Sequence, residues 1–146
     1  MEGQRINLKN TAPDVYRAMA AFDSSIELDS ALRELVKIRA SQLNGCAYCI
    51  ALHTRDARKA GESEQRLYAL AAWRESPLFT ERERVALELT DVITGIGESG
   101  VPDAAYERAA SEFSAAELAN LIFAITAINA WNRIAVSSGL MFADAP

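Results

Sequence analysis

Residues 29–60, DSALRELVKIRASQLNGCAYCIALHTRDARKA, contain two helices laid end to end with a sharp break between them. Leu32, Leu35, Val36 and Leu43 continue, at helical spacing, an apolar series begun by Leu28. Asp29 is placed to cap this first helix. Asn44 and Gly45, after Leu43, supply the left-handed conformation that commonly ends one. A second helix then starts at or near Cys46 and runs to about Ala60, where Gly61 stops it.

Working outward, apolar residues keep helical spacing through most of the chain and no stretch shows a sustained two-residue alternation, so strands are not expected. Ser63 can cap a third helix carrying Leu67, Leu70 and Trp73, closed by Pro77. Thr80 with Glu83, and Ser114 with Glu117, fit the capping box, in which a hydroxyl and a carboxylate three residues on satisfy each other's backbone amides. They predict helices over about 80–95 and 114–138. Between these lie the glycines Gly95, Gly97 and Gly100, then a short helix over about 103–110 with Asp103 in its first turn. The glycine-rich connector is too short to be a linker and neither half could bury a convincing core alone, so residues 1–146 are expected to form one all-α domain.

The chain has 146 residues, half of them hydrophobic, enough to build a core without staples. With 15 Lys and Arg against 20 Asp and Glu, its net charge of -5 repels phosphate backbones and anionic lipid, which argues against nucleic acid and membrane surfaces as partners. Residues 1–13 lack the apolar run of a secretory signal, so a cytoplasmic location is expected. The longest apolar tract, residues 118–131, is interrupted by Asn120, Thr126 and Asn129 and is too short to cross a bilayer.

Two cysteines cannot define a disulfide framework, but Cys46-Ala-Tyr-Cys49, followed by His53, has the spacing of a reactive site. On an ideal helix, positions 46, 49 and 53 fall within an arc of about 60°, and Cys49 and His53 lie about 6 Å apart along the axis. Residues three apart have Cα atoms about 5 Å from one another, within the range a disulfide tolerates. A free thiol near pH 7 is only a few per cent ionised. Unpaired amides at a helix start, together with a neighbouring histidine, can raise that fraction. The residues thus supply an activated thiol and a second thiol to resolve it.

Other readings compete. Two buried cysteines can be packing alone. Cys-x-x-Cys with a histidine offers three zinc ligands, yet structural zinc usually draws on two separated pairs and no second pair exists. A thioredoxin places its motif after a strand, and here a helix precedes it. Gly95-x-Gly97-x-x-Gly100 has dinucleotide-fingerprint spacing but follows a helix, so no ligand is assigned to it. The charged runs 55–59 and 81–84 are expected to be solvated helix faces with i to i+4 pairing.

The run 37–60, KIRASQLNGCAYCIALHTRDARKA, closely resembles the core of the alkylhydroperoxidase AhpD-like branch of the carboxymuconolactone decarboxylase superfamily. That family carries a glutamate, eleven residues, then Cys-x-x-Cys-x-x-x-His, and counting back from Cys46 reaches Glu34. The resemblance continues through residues 61–75 and again in Ala-Ile-Asn-Ala-Trp-Asn-Arg, residues 127–133. It implies a compact all-α fold of about six to seven helices, assembled as a homo-oligomer, trimer or hexamer. It also implies roles: Cys49 as the peroxidatic thiolate, Cys46 as the resolving thiol, and His53 with Glu34 as a proton relay. The implied activity is an antioxidant thiol peroxidase that takes organic hydroperoxides or hydrogen peroxide. An external dithiol, lipoyl or thioredoxin-like, would recharge it, with no bound cofactor and no metal required. Tyr48 departs from well-studied members that carry a histidine between the cysteines, which removes one proton carrier. The decarboxylase branch lacks the cysteine pair. A thiol-disulfide reductase serving a partner peroxidase, or a non-catalytic helical oligomer binding a small molecule or metal, would use the same residues.

Overall fold

Two short helices precede the quoted stretch. The Asn7 side chain accepts the backbone N–H of Asn10 and opens α1 (Leu8–Thr11). Pro13, with its preset φ and no amide to satisfy, starts α2 (Pro13–Ser24). The structure, a computed structural model, describes residue 3 and residues 5–142. It continues with α3 (Ser30–Asn44), α4 (Ala47–Lys59), α5 (Glu64–Ala69), a 3₁₀ turn (Leu70–Ala72), α6 (Glu81–Thr94), α7 (Asp103–Glu112) and α8 (Ala115–Ser138).

Among the described residues there are eight α-helices and no strand, so the class is all-α but the expected six to seven helices fall short. The extra elements are α1 and α2. α1 is a single turn, and α2 contains no fully buried residue, although its Tyr16, Met19 and Phe22 form a half-buried stripe at helical spacing, with Met19 and Phe22 packed against Ala124 and Ala127 of α8. The third helix also ends sooner than Pro77: after Ala69 the chain tightens into the 3₁₀ turn, and Trp73 follows it.

Caps account for most of the boundaries. Asp29 accepts the N–H of Leu32, Ser63 accepts that of Arg66, and reciprocal capping boxes close at Thr80 with Glu83 and at Ser114 with Glu117. Each such cap contributes about 1 kcal/mol. Helix α3 lies at the centre because it is apolar on two sides. Leu32 and Val36 pack with Val85, Leu89, Leu121 and Ile125 of α6 and α8. Leu35 and Ile38 pack with Leu67, Leu70, Trp73 and Leu87. Leu35 is wholly buried, and truncating it to alanine would cost roughly 2–5 kcal/mol.

The charged run 81–84 differs from the solvated face expected of it. Arg82 reaches Glu117 and the Glu112 carbonyl, Glu83 takes a two-pronged contact from Arg66, and Arg84 donates to the carbonyls of Trp73, Arg74 and Ser76. These charges join separate elements where i to i+4 pairs would have joined one. At the other end of the molecule, α8 stops at Gly139, which takes the left-handed conformation (φ +69°). Beside it the Arg5 N–H donates to the Ser138 carbonyl at 2.8 Å, tying the first described segment to the end of α8. No helix among the described residues is long and apolar enough to cross a membrane.

Candidate active site around Cys46 and Cys49

Gly45, at φ +65°, ends α3 in the left-handed conformation and turns the chain so that Cys46 becomes the N-cap of α4. Cys46 therefore stands just outside the helix, in extended conformation, where an ideal helix would have put it on the first turn. Its Sγ accepts the N–H of Cys49 at 3.3 Å, one of the amides left unpaired at a helix start. The two cysteines form a disulfide with Cα atoms 5.3 Å apart. They are almost completely covered, at 1% exposure for Cys46 and 3% for Cys49. The helix start thus serves the sulfur of Cys46.

Cys49 shares a cavity of about 220 Å³ with His53. One turn along α4 from Cys49, His53 meets α3: its Nδ1 lies 3.0 Å from Oε2 of Glu34. Both side chains are largely buried. The contact holds the imidazole in one orientation, and when Nδ1–H donates to the carboxylate, Nε2 is the nitrogen available for proton exchange. Among the described residues, no group of three or more His, Cys, Asp or Glu side chains could hold a metal ion.

Several lining residues escaped the sequence reading. Lys37, only 6% exposed, reaches Asp23 of α2 with Nζ 3.3 Å from the carboxylate. Tyr16 of α2 meets the indole of Trp131 edge-on, ring centroids 5.4 Å apart. All four line the cavity that holds Cys49 and His53. Lys37 had a signal, a charge between the buried Val36 and Ile38. Tyr16 lies on the half-buried stripe of α2 with Met19 and Phe22, a signal of packing but not of a site, and Asp23 had none.

Cys46 lines a second space, an open groove of about 890 Å³, with Arg5, Ala47, Ala51, Val136, Met141 and Phe142 among others. Tyr48, Ala135 and Leu140 line both spaces and form the wall between them. The Tyr48 ring rests edge-on against Phe142, centroids 5.7 Å apart.

A polar network fixes the turn that carries Cys46. The Asn44 side-chain amide donates to Oδ1 of both Asn129 and Asn132 at 2.9 Å. Asn132, 1% exposed, donates in turn to Ser41, whose hydroxyl donates to the Lys37 carbonyl. Buried amides without partners are costly, so this chain specifies how α3 docks on α8.

Residues 13–91, which carry this glutamate, cysteine pair and histidine, match the model of the Carboxymuconolactone decarboxylase family. The chain belongs to that family. Within it the chain is AhpD-like. It superposes with TM-score 0.93 and 39% identity, over 97% of this chain and 99% of the other, on an Agrobacterium tumefaciens protein of unknown function whose candidate assignment is antioxidant defence protein AhpD. An uncharacterized Bacillus subtilis protein, YdfG, is 41% identical over 139 residues, 93% of this AhpD-like chain and 95% of its own. The debrominase Bmp8 shares the fold, with TM-score 0.79 over 92% of this chain and 74% of its own, at 16% identity. The fold therefore supports more than one chemistry, and the reaction has to be argued from the site.

Proposed function

We propose that this AhpD-like chain is an antioxidant thiol peroxidase that reduces organic hydroperoxides or hydrogen peroxide and is recharged by an external dithiol. The observation that carries the reading is the convergence of Cys49 and His53 on one cavity, with Glu34 behind the histidine and Cys46 bonded to Cys49. In the reduced protein, His53 takes the Cys49 proton, and the thiolate attacks one oxygen of the peroxide. The O–O bond breaks, the second oxygen leaves as alcohol or water with a proton returned by His53, and Cys49 becomes a sulfenic acid. The Cys46 sulfur, whose thiolate the Cys49 amide stabilises, then attacks the Cys49 sulfur and expels water. Glu34 orients His53 and balances its charge when protonated.

The likeness to the Agrobacterium protein supports this reading, and the resemblance to AhpD-like proteins adds a trimeric or hexameric assembly and a lipoyl or thioredoxin-like donor. Cys49→Ser is expected to abolish peroxide consumption. Cys46→Ser is expected to stop at a sulfenic acid that a dimedone probe labels. Undiminished turnover in either variant overturns the mechanism. Tyr48, which rests on Phe142 where some well-studied members carry a histidine, favours a second reading: a dithiol carrier for a partner peroxidase. That reading predicts fast thiol-disulfide exchange with slow direct reaction with peroxide.

A further inference from the structure

The two sulfurs of the disulfide face different spaces. Cys49 lines the smaller cavity with His53, Lys37 and Trp131, and Cys46 lines only the larger groove, with Tyr48, Ala135 and Leu140 as the wall between. We infer that oxidant and reductant reach the site from opposite sides, and that the groove is the binding site of the dithiol donor, which attacks Cys46. This rests on the thiol-redox reading of the same cysteines, though not on peroxide being the oxidant.

Shape and chemistry select the occupant. Cys46 is recessed, at 1% exposure, in a groove whose lining is largely apolar: Ala47, Ala51, Val136, Met141 and Phe142. A slender apolar chain ending in a dithiol fits such a recess better than a flat protein surface carrying its own disulfide motif. Thiol-disulfide exchange also needs the attacking sulfur, the attacked sulfur and the leaving sulfur close to a line, so entry behind Cys46 dictates departure toward Cys49.

The steps balance. A donor thiolate attacks Cys46 Sγ, the Cys46–Cys49 bond breaks, and a donor–Cys46 disulfide forms. The electron pair leaves on Cys49, beside His53, which can supply its proton. The donor's second thiolate attacks the donor sulfur of that mixed disulfide, closing an oxidised donor and releasing Cys46 as thiolate onto the Cys49 amide. Two electrons pass from donor to protein, and the smaller cavity is left with a reduced Cys49 and space for an oxidant.

The competing route is attack at Cys49 with Cys46 departing onto the helix start. Leaving-group stability favours it, but it requires the donor to enter the smaller, 220 Å³ cavity, which Tyr16 and Trp131 help to line. Peptide mapping separates the routes. Full-length protein, oxidised beforehand with diamide, is mixed briefly with glutathione, and the freed thiol is capped with iodoacetamide. Fragment ions that cut between Tyr48 and Cys49 then locate the adduct. Glutathione on Cys46 is expected in at least about tenfold excess over Cys49; equal or reversed labelling overturns the inference.

A crossed pair of variants gives a second readout with dihydrolipoamide as donor. Val136→Trp, in the groove, is expected to slow reduction at least about tenfold more than it slows oxidation, and Ile134→Trp, in the cavity, to do the reverse. Equal slowing of both half-reactions by either variant, or reduction by thioredoxin faster than by dihydrolipoamide, overturns the assignment of the groove. Because the mapping starts from protein oxidised without peroxide, it still reports on the donor side if the peroxidase reading fails.

Discussion

Glu34 touches neither sulfur in the proposed scheme; it acts through the imidazole it holds at 3.0 Å. Glu34→Gln keeps the shape and a hydrogen-bonding side chain but removes the charge that balances a protonated His53. Loss of effective proton transfer of this kind typically costs about 10²-fold in rate. Stopped-flow measurement of Cys49 oxidation should show that loss with an altered pH profile, while the diamide-oxidised disulfide still forms; an unchanged rate would remove Glu34 from the relay. Lys37 and Asp23 make an asymmetric case. Asp23→Ala strands an ammonium in a largely buried place and is expected to destabilise by roughly 3 kcal/mol, whereas Lys37→Met replaces the charge with an apolar stem of similar length and costs much less. Urea denaturation of the two variants checks the order. The residues readable from the sequence were those close together along it: Cys46, Cys49 and His53 sit within one helix and its cap. Glu34 emerged only by resemblance, because its partner is nineteen residues away on another helix. Tyr16, Asp23 and Trp131 reach the cavity from both ends of the chain, and no local pattern links them.

Local caps mark the helix starts at Asp29, Thr80 and Ser114; α1 and α2 also begin on local signals, Asn7 and Pro13, but neither carries a fully buried residue to reinforce them, and the 3₁₀ turn has no side-chain cap to announce it. Glu83 shows how one residue can serve a local cap and a contact between elements at once. It closes the capping box of α6 and also pairs with Arg66 of α5. Burial opposes its ionisation, but the Arg66 guanidinium and the Thr80 amide outweigh that and hold its carboxyl below the usual carboxylate range. A carboxyl depressed in the folded state stabilises the fold above its unfolded pKa, near 4.5, and that contribution disappears as pH falls through the lower folded value. Glu83→Gln is therefore expected to cost about 1 kcal/mol or somewhat more at neutral pH, with the gap to the parent protein closing under acid conditions. Chemical denaturation across the pH range measures it, and a gap that stays constant into acid contradicts the pairing.

For the whole molecule, the sequence conveyed class and charge but little about surfaces. Phe123 of α8 is about half exposed, on a helix whose other residues are mostly buried or half-buried, and it lies outside both the groove and the cavity. With the trimeric or hexameric assembly proposed above, this position would be covered by another copy. Light scattering on the native protein is expected to give a trimer or hexamer mass, and Phe123→Asp to shift it toward monomer with helix content retained. A monomeric parent at micromolar concentration would dismiss the assembly. The arrangement of groove and cavity also has a consequence in time. Their shared wall includes Ala135 and Leu140, while the cysteines lie much earlier in the sequence, and the hydrogen bond from Arg5 to Ser138 joins an early segment to a late one. Since chains fold as they are synthesised from the N-terminus, both thiols emerge from the ribosome long before the helix that will cover them. For that interval they are open on every side, and it is the completion of α8 that separates one sulfur's surroundings from the other's.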